Sequence, residues 1–272
     1  MIIQHNMAAA NTNRQLALTN ANLSKSTEKL SSGYKVNRAS DNAAGLTISE
    51  KMRGQIRGLE QASTNAQDGI SLIQTAEGAL AETESILQRL RELAVQAAND
   101  TNVSTDRNAI KEELTALQAE ITRIGEQTEF NTMKLLSGGF TAKNLQVGAN
   151  AKQNISIAIS SMTASGLGVS NVQNLVTAYS AATAQISKIQ SAIDKVSKKR
   201  SYLGAIQNRL DHTIANADNT AENLQSAESR IRDVDMAEEM VKYSKDSILQ
   251  QAGQSMLAQA NQATQGILSL IR

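Results

Sequence analysis

Apolar residues spaced alternately by three and four positions run through most of this chain, and a switch to steps of two near its middle is the exception. The first seam is Ile73, Ala76, Leu80, Thr83, Leu87, Leu90, Ala94 and Ala97. Only threonine is off type, and the spacing predicts one long helix with a heptad face. The stretch NDTNVSTD interrupts it, with Ser104 or Thr105 placed to cap a new helix and Asp106 favourable in its first turn. That helix carries a second seam, Ile110, Leu114, Leu117, Ile121 and Ile124, which ends before TEFN. After SGG at Ser137–Gly139 the period becomes two: Leu145 and Val147, a Gly148-Ala149-Asn150 turn, then Ile155, Ile157 and Ile159. This predicts a β-hairpin within about residues 140–160, closed off by a turn at SGLGVSN. From Leu175 the three-four stepping resumes through Tyr179, Ala182, Ile186, Ile189, Ile193, Val196, Leu203, Leu210, Ile214, Ala217, Ala221, Leu224 and Ile231. Arg200, Gln207, Glu228 and Asp235 stand at seam positions without being apolar. Roughly 60 residues in one register predict a rod of roughly 90 Å at 1.5 Å per residue.

The two ends form a compartment of their own. Leu16, Leu23 and Leu30 recur every seventh residue before Gly33, a helix stop. SSGYKVNRASDNAAG follows, loop-like in its first half, with Ser40 and Asp41 suited to open the next helix. At the other end, SILQQAGQSMLAQANQATQGILSLIR has no ionisable side chain between Asp246 and Arg272. Its glutamines exclude a membrane span, because each would carry unmet hydrogen-bonding groups into hydrocarbon. It also lacks the charged outer face of a solvated helix, so it reads as a surface meant to be covered by protein. Ile248, Leu249, Met256, Leu257, Ile267, Leu268, Leu270 and Ile271 are too few to offset the ordering of this segment alone. The ends are expected to be disordered in the monomer and ordered in an assembly.

Composition narrows the function. The chain has 272 residues, no proline, no cysteine, no tryptophan and 2% aromatics. Proline-free sequence suits long helices, and the shortage of large aromatics argues against a conventional globular core or a substrate pocket. With 27 basic and 26 acidic residues and a net charge of +1, bulk attraction to nucleic acid or anionic lipid is excluded. The N-terminus has no basic region ahead of an apolar run, so no Sec-type signal peptide is expected. His5 and His212 are the only histidines; neither belongs to an HExxH motif, and no GxSxG elbow occurs. KVSKKR at Lys195–Arg200 reads as a solvated helix face rather than a phosphate grip, and Met236 and Met240 as packing residues. No enzyme, cofactor or metal is expected.

Seven segments then carry a resemblance over essentially the whole chain, in order: LSSGYKVNRASDNAAGLTISEKMRGQIRGL, LQRLRELAVQAAN, QTEFNTMKLLSGG, LQVGAN, YLGAIQNRLDHTIAN, AESRIRDVDMAEE and ILQQAGQSMLAQANQATQGILSLIR. Together they resemble bacterial flagellin. The fold so implied is mainly α, with long antiparallel helices in a coiled-coil-like rod and a small β-hairpin region. Residues 1–40 and 233–272 would be the two halves of an inner coiled-coil domain. Residues 41–175 and 176–232 would form the outer core domain, without the large variable insertion of longer members. The resemblance implies a secreted, extracellular subunit of the flagellar filament that leaves by the flagellar type III channel and polymerises with copies of itself. It also implies contacts with the filament cap, the hook–filament junction and, on the 233–272 helix, an export chaperone. Self-assembly would fall to Leu16, Leu23 and Leu30 and to the eight apolar residues of the C-terminal segment.

In flagellins, positions matching Arg89, Leu93 and Glu113 contribute to recognition by the vertebrate innate receptor TLR5, on a surface also buried between protofilaments. With Leu87, Leu90 and Ala94 inward, a 100° step sends Arg89 and Gln96 outward and Leu93 to the flank. The competing reading, from another class, is a coiled-coil scaffold such as a cytoplasmic chemoreceptor hairpin. It also uses long Ala- and Gln-rich helices, but a β-hairpin would be out of place in it.

Overall fold

The computed structural model describes residues 6–172 and 179–270, with side chains for 6–172 and 181–262. In chain order its elements are α1 (Met7–Ser32), α2 (Ala43–Ala97), α3 (Ser104–Gln127), β1 (Glu129–Phe130), β2 (Met133–Lys134), β3 (Lys143–Gln146), β4 (Asn154–Ile157), α4 (Ala164–Leu167), α5 (Tyr179–Arg232) and α6 (Met236–Leu270). The fold is mainly α, as expected. Two compact units divide the chain: a central unit, Gln55–Ala221, and a terminal unit made of Met1–Gly54 with Glu222–Arg272. These divisions fall inside α2 and α5 rather than at the loops near residues 40 and 232.

In the central unit every member of the first seam is buried, Thr83 included. The Thr83 hydroxyl donates to the Ala79 carbonyl at 2.9 Å, which satisfies the one polar group on that stripe. From α3, Ile110, Leu114 and Ile121 are buried, and Leu117 and Ile124 pack half-buried against the same core. On α5 the buried stripe is Ala182, Ile189, Val196, Leu203, Leu210 and Ala217 at intervals of seven, with Gln185, Ala192 and Ile206 buried between them. The neighbouring stripe, Ile186, Ile193, Arg200, Gln207 and Ile214, is only half-buried. Arg200 and Gln207 fall on that second stripe, where half-burial accommodates a polar side chain. Leu175 lies outside the described residues, as does the side chain of Tyr179.

The predicted hairpin is β3–β4, antiparallel, with Leu145 opposite Ile155 and Lys143 opposite Ile157. Ile155, Ile157 and Ile159 point into the core, as the period of two requires. A smaller hairpin, β1–β2, went unpredicted. Its turn residues Asn131 and Thr132 both have positive φ, 47° and 63°, the geometry of a tight hairpin turn that asparagine favours and threonine does not. SGLGVSN begins within α4, a single helical turn whose Gly166 N–H donates to Thr163 and which ends at Gly168 in the left-handed region.

Two helix starts differ from expectation. Ser104 is the first residue of α3 and Val103 its cap; the Asp106 carboxylate accepts from the Val103 N–H at 3.2 Å and so closes the turn that a Ser or Thr cap would have closed. At α2 the capping side chain is Asn42, which accepts from the Gly45 N–H at 2.9 Å. Asp41 instead accepts from the Asn37 and Arg38 N–H groups of the preceding loop. The backbone donors beside Asp41, Arg38 foremost, hold its carboxyl below the usual aspartate range.

In the terminal unit α1 ends at Gly33, in the left-handed conformation at φ 75°, as predicted. The described part of each end is helical, and α1 packs along α6. Each helix gives the other a face to bury, which a lone terminus lacks.

Candidate assembly and recognition surfaces

The pairing of α1 with α6 follows from one stripe on each. On α1 the covered positions are Ala9, Thr12, Leu16, Thr19, Leu23, Ser26 and Leu30; on α6 they are Glu239, Tyr243, Asp246, Gln250, Gly253, Leu257 and Ala260. Both sets step by three and four, the spacing of a coiled-coil seam. The helices are antiparallel: the Asn6 side-chain amide donates to the Ala260 carbonyl at 3.0 Å near one end, and Ser26 Oγ donates to Glu239 Oε1 at 2.7 Å near the other. Between these points Gly253 lies directly beside Leu16. Beyond Ser26 the chain crosses between Tyr34 and Asp233. There the Lys35 N–H donates to the Arg232 carbonyl at 2.6 Å and the Val234 N–H to the Gly33 carbonyl at 3.0 Å. The Arg232 guanidinium stacks on the Tyr34 ring, 4.6 Å from its centre.

Most of this seam is polar or small, so the pair shields little apolar surface. Ile248 is 66% exposed, Met256 57% and Leu249 47%. Of the predicted assembly residues these three therefore stand free within one chain. Leu16, Leu23, Leu30 and Leu257 do not; they are half-buried on the intrachain seam, because α6 supplies a partner within the same chain. The side chains of Ile267, Leu268, Leu270 and Ile271 lie outside the described residues. Sequence reasoning missed Leu18 and Val241, both exposed, since neither sits on the heptad stripe that drew attention. Met236 and Met240, expected to pack, are also exposed.

The second surface is on the central unit. Arg89 of α2 bonds Glu113 of α3 through Nε at 3.0 Å and Nη2 at 2.9 Å, and bonds Glu92 at 3.1 Å. The Glu113 carboxylate, with Glu92 behind it, holds the guanidinium above its ordinary range. Arg89 and Glu113 remain half-exposed, and Gln96 is exposed. Leu93 is not on the flank: it is 2% exposed. α3 crosses beside α2 here, as the Arg89–Glu113 bond requires, and a helix covered on two sides buries a wider arc than the heptad stripe. Farther round α2, Gln88, Arg91, Val95 and Gln96 line an open groove of about 680 Å³ together with Gln190 and Ile193 of α5.

The basic run KVSKKR is solvated at Lys195 and Lys198, as expected, but three of its side chains also reach partners within the fold. Lys195 Nζ donates to the Leu167 carbonyl at 3.3 Å and Lys199 Nζ to the Ala158 carbonyl at 3.1 Å; Arg200 pairs with Glu84 and Glu77. Burial pushes the Lys199 amine below its ordinary range. His212 is exposed at the edge of an open groove with Lys152 and Arg209, and His5 lies outside the described residues. Among the described residues no group of three or more His, Cys, Asp or Glu is placed to hold a metal, and no helix is long and apolar enough to cross a membrane.

Comparison with known proteins bears on both surfaces. Residues 3–141 match the family model of the bacterial flagellin N-terminal helical region, and residues 186–271 that of the C-terminal helical region. The chain is 54% identical to a flagellin of Halalkalibacterium halodurans and 50% identical to one of Bacillus subtilis, covering all of this chain and all of the relative in each case. Among solved structures, a Vibrio parahaemolyticus protein described as flagellar hook-associated aligns with a TM-score of 0.61 at 14% identity, over 71% of this chain and all of that one. At that identity it supports the fold alone.

Proposed function

The chain belongs to the bacterial flagellin family, and from that premise we propose that its terminal unit is the inner domain of a filament subunit, the part through which copies join. The protein is a structural subunit of the flagellar filament, extracellular in its assembled form, and its work is to polymerise. One observation carries the proposal: the charge-free stretch of α6 exposes Ile248, Leu249 and Met256 while α1 covers only the seam of Gln250, Gly253, Leu257 and Ala260. Apolar surface left open on a helix without charges gains most from another protein helix, since about 25 cal/mol is returned per Å² buried. The glutamines beside these residues can meet hydrogen-bond partners across such an interface, which a buried unpaired charge could not do cheaply. Electron microscopy of purified protein seeded with filament fragments tests the reading. Elongated filaments are expected; failure to elongate would count against it.

The same α6 face suits the export chaperone before assembly, and the terminal unit suits the cap and the hook–filament junction during it. The family resemblance supports these partners and export through the flagellar type III channel.

A second reading concerns TLR5. Arg89, Gln96 and Glu113 are accessible within one chain, and the Arg89–Glu113 bond holds two of them in a fixed relation. Leu93 would support that face from beneath. Arg89→Ala and Glu113→Ala are each expected to weaken binding of the monomer to the receptor ectodomain about tenfold, near the 1.4 kcal/mol of one interface hydrogen bond to a charged group. Surface plasmon resonance measures this, and unchanged affinity removes both residues from the site.

A further inference from the structure

Glu239 is the one ionisable side chain that is buried among the described residues, 5% exposed, and it lies on the seam between α1 and α6. A carboxylate in that position is costly unless it is hydrogen-bonded and paired. Here Oε1 accepts from Ser26 Oγ at 2.7 Å, and Ser26 is itself buried. Oε2 faces Lys242 Nζ at 3.8 Å. Lys25 and Lys29 of α1, with Lys245 of α6, stand around the same hollow, opposed by Asp246.

The hydroxyls and leucines of the α1 seam do not fix the alignment by themselves. Thr12 with Leu16, Thr19 with Leu23 and Ser26 with Leu30 form the same hydroxyl-then-leucine unit three times at an interval of seven. Sliding α1 by seven residues therefore presents an almost identical surface to α6. The bridge at Tyr34 and Asp233 resists such a slide from beyond the helix ends; within the seam itself it is the carboxylate that breaks the degeneracy. After such a slip Glu239 would face Thr19, whose hydroxyl donates to the Gln15 carbonyl, and would leave the Lys25 and Lys29 amines behind. A slip of three or four would set it against leucine.

We propose that the Ser26–Glu239 hydrogen bond sets the alignment of α1 on α6, in the way a lone polar group at a seam position specifies register in coiled coils at some cost in stability. Through that alignment it decides which apolar residues the terminal unit presents to another copy; this consequence rests on the filament-subunit reading, whereas the alignment itself does not.

The chain has no cysteine, so introduced pairs report alignment without background. Leu16→Cys with Gly253→Cys joins positions now adjacent, and Ala9→Cys with Gly253→Cys joins positions that a seven-residue slip would bring together. In monomeric full-length protein under oxidised glutathione, the first pair is expected to close and the second to stay open. Adding Ser26→Ala with Glu239→Leu should raise the second cross-link about tenfold. Thermal stability should hold or rise, because an apolar pair replaces a desolvated charge; loss of a merely structural contact would lower it and leave the alignment alone. Glu239→Gln, whose amide oxygen still accepts from Ser26, should keep the first cross-link dominant. Unchanged yields in the Ser26→Ala, Glu239→Leu protein overturn the proposal. Slipped alignment with impaired seeded elongation supports the link to assembly, and slipped alignment with normal elongation overturns that link. If the unsubstituted protein never elongates, the filament reading fails while the cross-links still decide the alignment.

Discussion

α5 and α1 both place residues at intervals of seven, and the outcomes differ. On α5, Ala182, Ile189, Val196, Leu203, Leu210 and Ala217 are buried; on α1, Leu16, Leu23 and Leu30 stay half-exposed. The spacing identifies which side of a helix faces a partner, but the number and chemistry of the partners decide how far that side is covered. The α5 stripe meets α2, the hairpins and α4 in a core lined with Leu and Ile. The α1 stripe meets one helix, whose own seam offers Glu239, Asp246, Gln250 and Gly253. The central unit is therefore closed within a single chain, and the terminal unit is left with apolar side chains to spare.

Deleting Ile248–Arg272 gives the sharpest break between the two. Seeded elongation is expected to be abolished, while the thermal transition of the central unit, followed by circular dichroism, is unchanged; normal filaments from the truncated protein would sink the account of the terminal unit. Next in size is a paired substitution. Leu87→Ala, in the closed core, should cost about 2–5 kcal/mol in urea denaturation, and Leu16→Ala, half-exposed, about 1 kcal/mol. Equal costs would mean that the two seams are equally covered.

The smallest effect is at Asp41. Its folded pKa lies below the ordinary value of 3.8, so its contribution is fully present above that value and is lost as pH falls through the lower folded one. Asp41→Asn should flatten that acid-side dependence, and a carboxyl titration by NMR should place the Asp41 midpoint below that of an unperturbed aspartate.

The helices and the larger hairpin were legible because long periodic patterns leave little choice of element. The seam from Ile73 to Ala97 is buried residue for residue. What escaped were features decided by neighbours. Leu93 is buried because α3 lies beside α2, and no heptad count on α2 reveals α3. Lys195, Lys199 and Arg200 look like a solvated basic run until α4, the chain following β4 and α2 bring carbonyls and carboxylates to them. Asn42 and Val103 were mistaken by one or two residues, within the range over which cap chemistry and helix ends ordinarily disagree. For the assembly surface, composition marked the whole segment as one to be covered by protein. It could not distinguish Leu257, covered by α1, from Met256, which is not.

The crossing at Tyr34 and Asp233 bears on which residues evolution can place there. Its two hydrogen bonds are donated by the main-chain N–H groups of Lys35 and Val234, so almost any side chain at those positions leaves them intact. Proline is the exception, since it has no N–H to give. At this crossing the backbone bonding thus excludes proline and little else, a local constraint on the drift of a sequence that contains no proline anywhere.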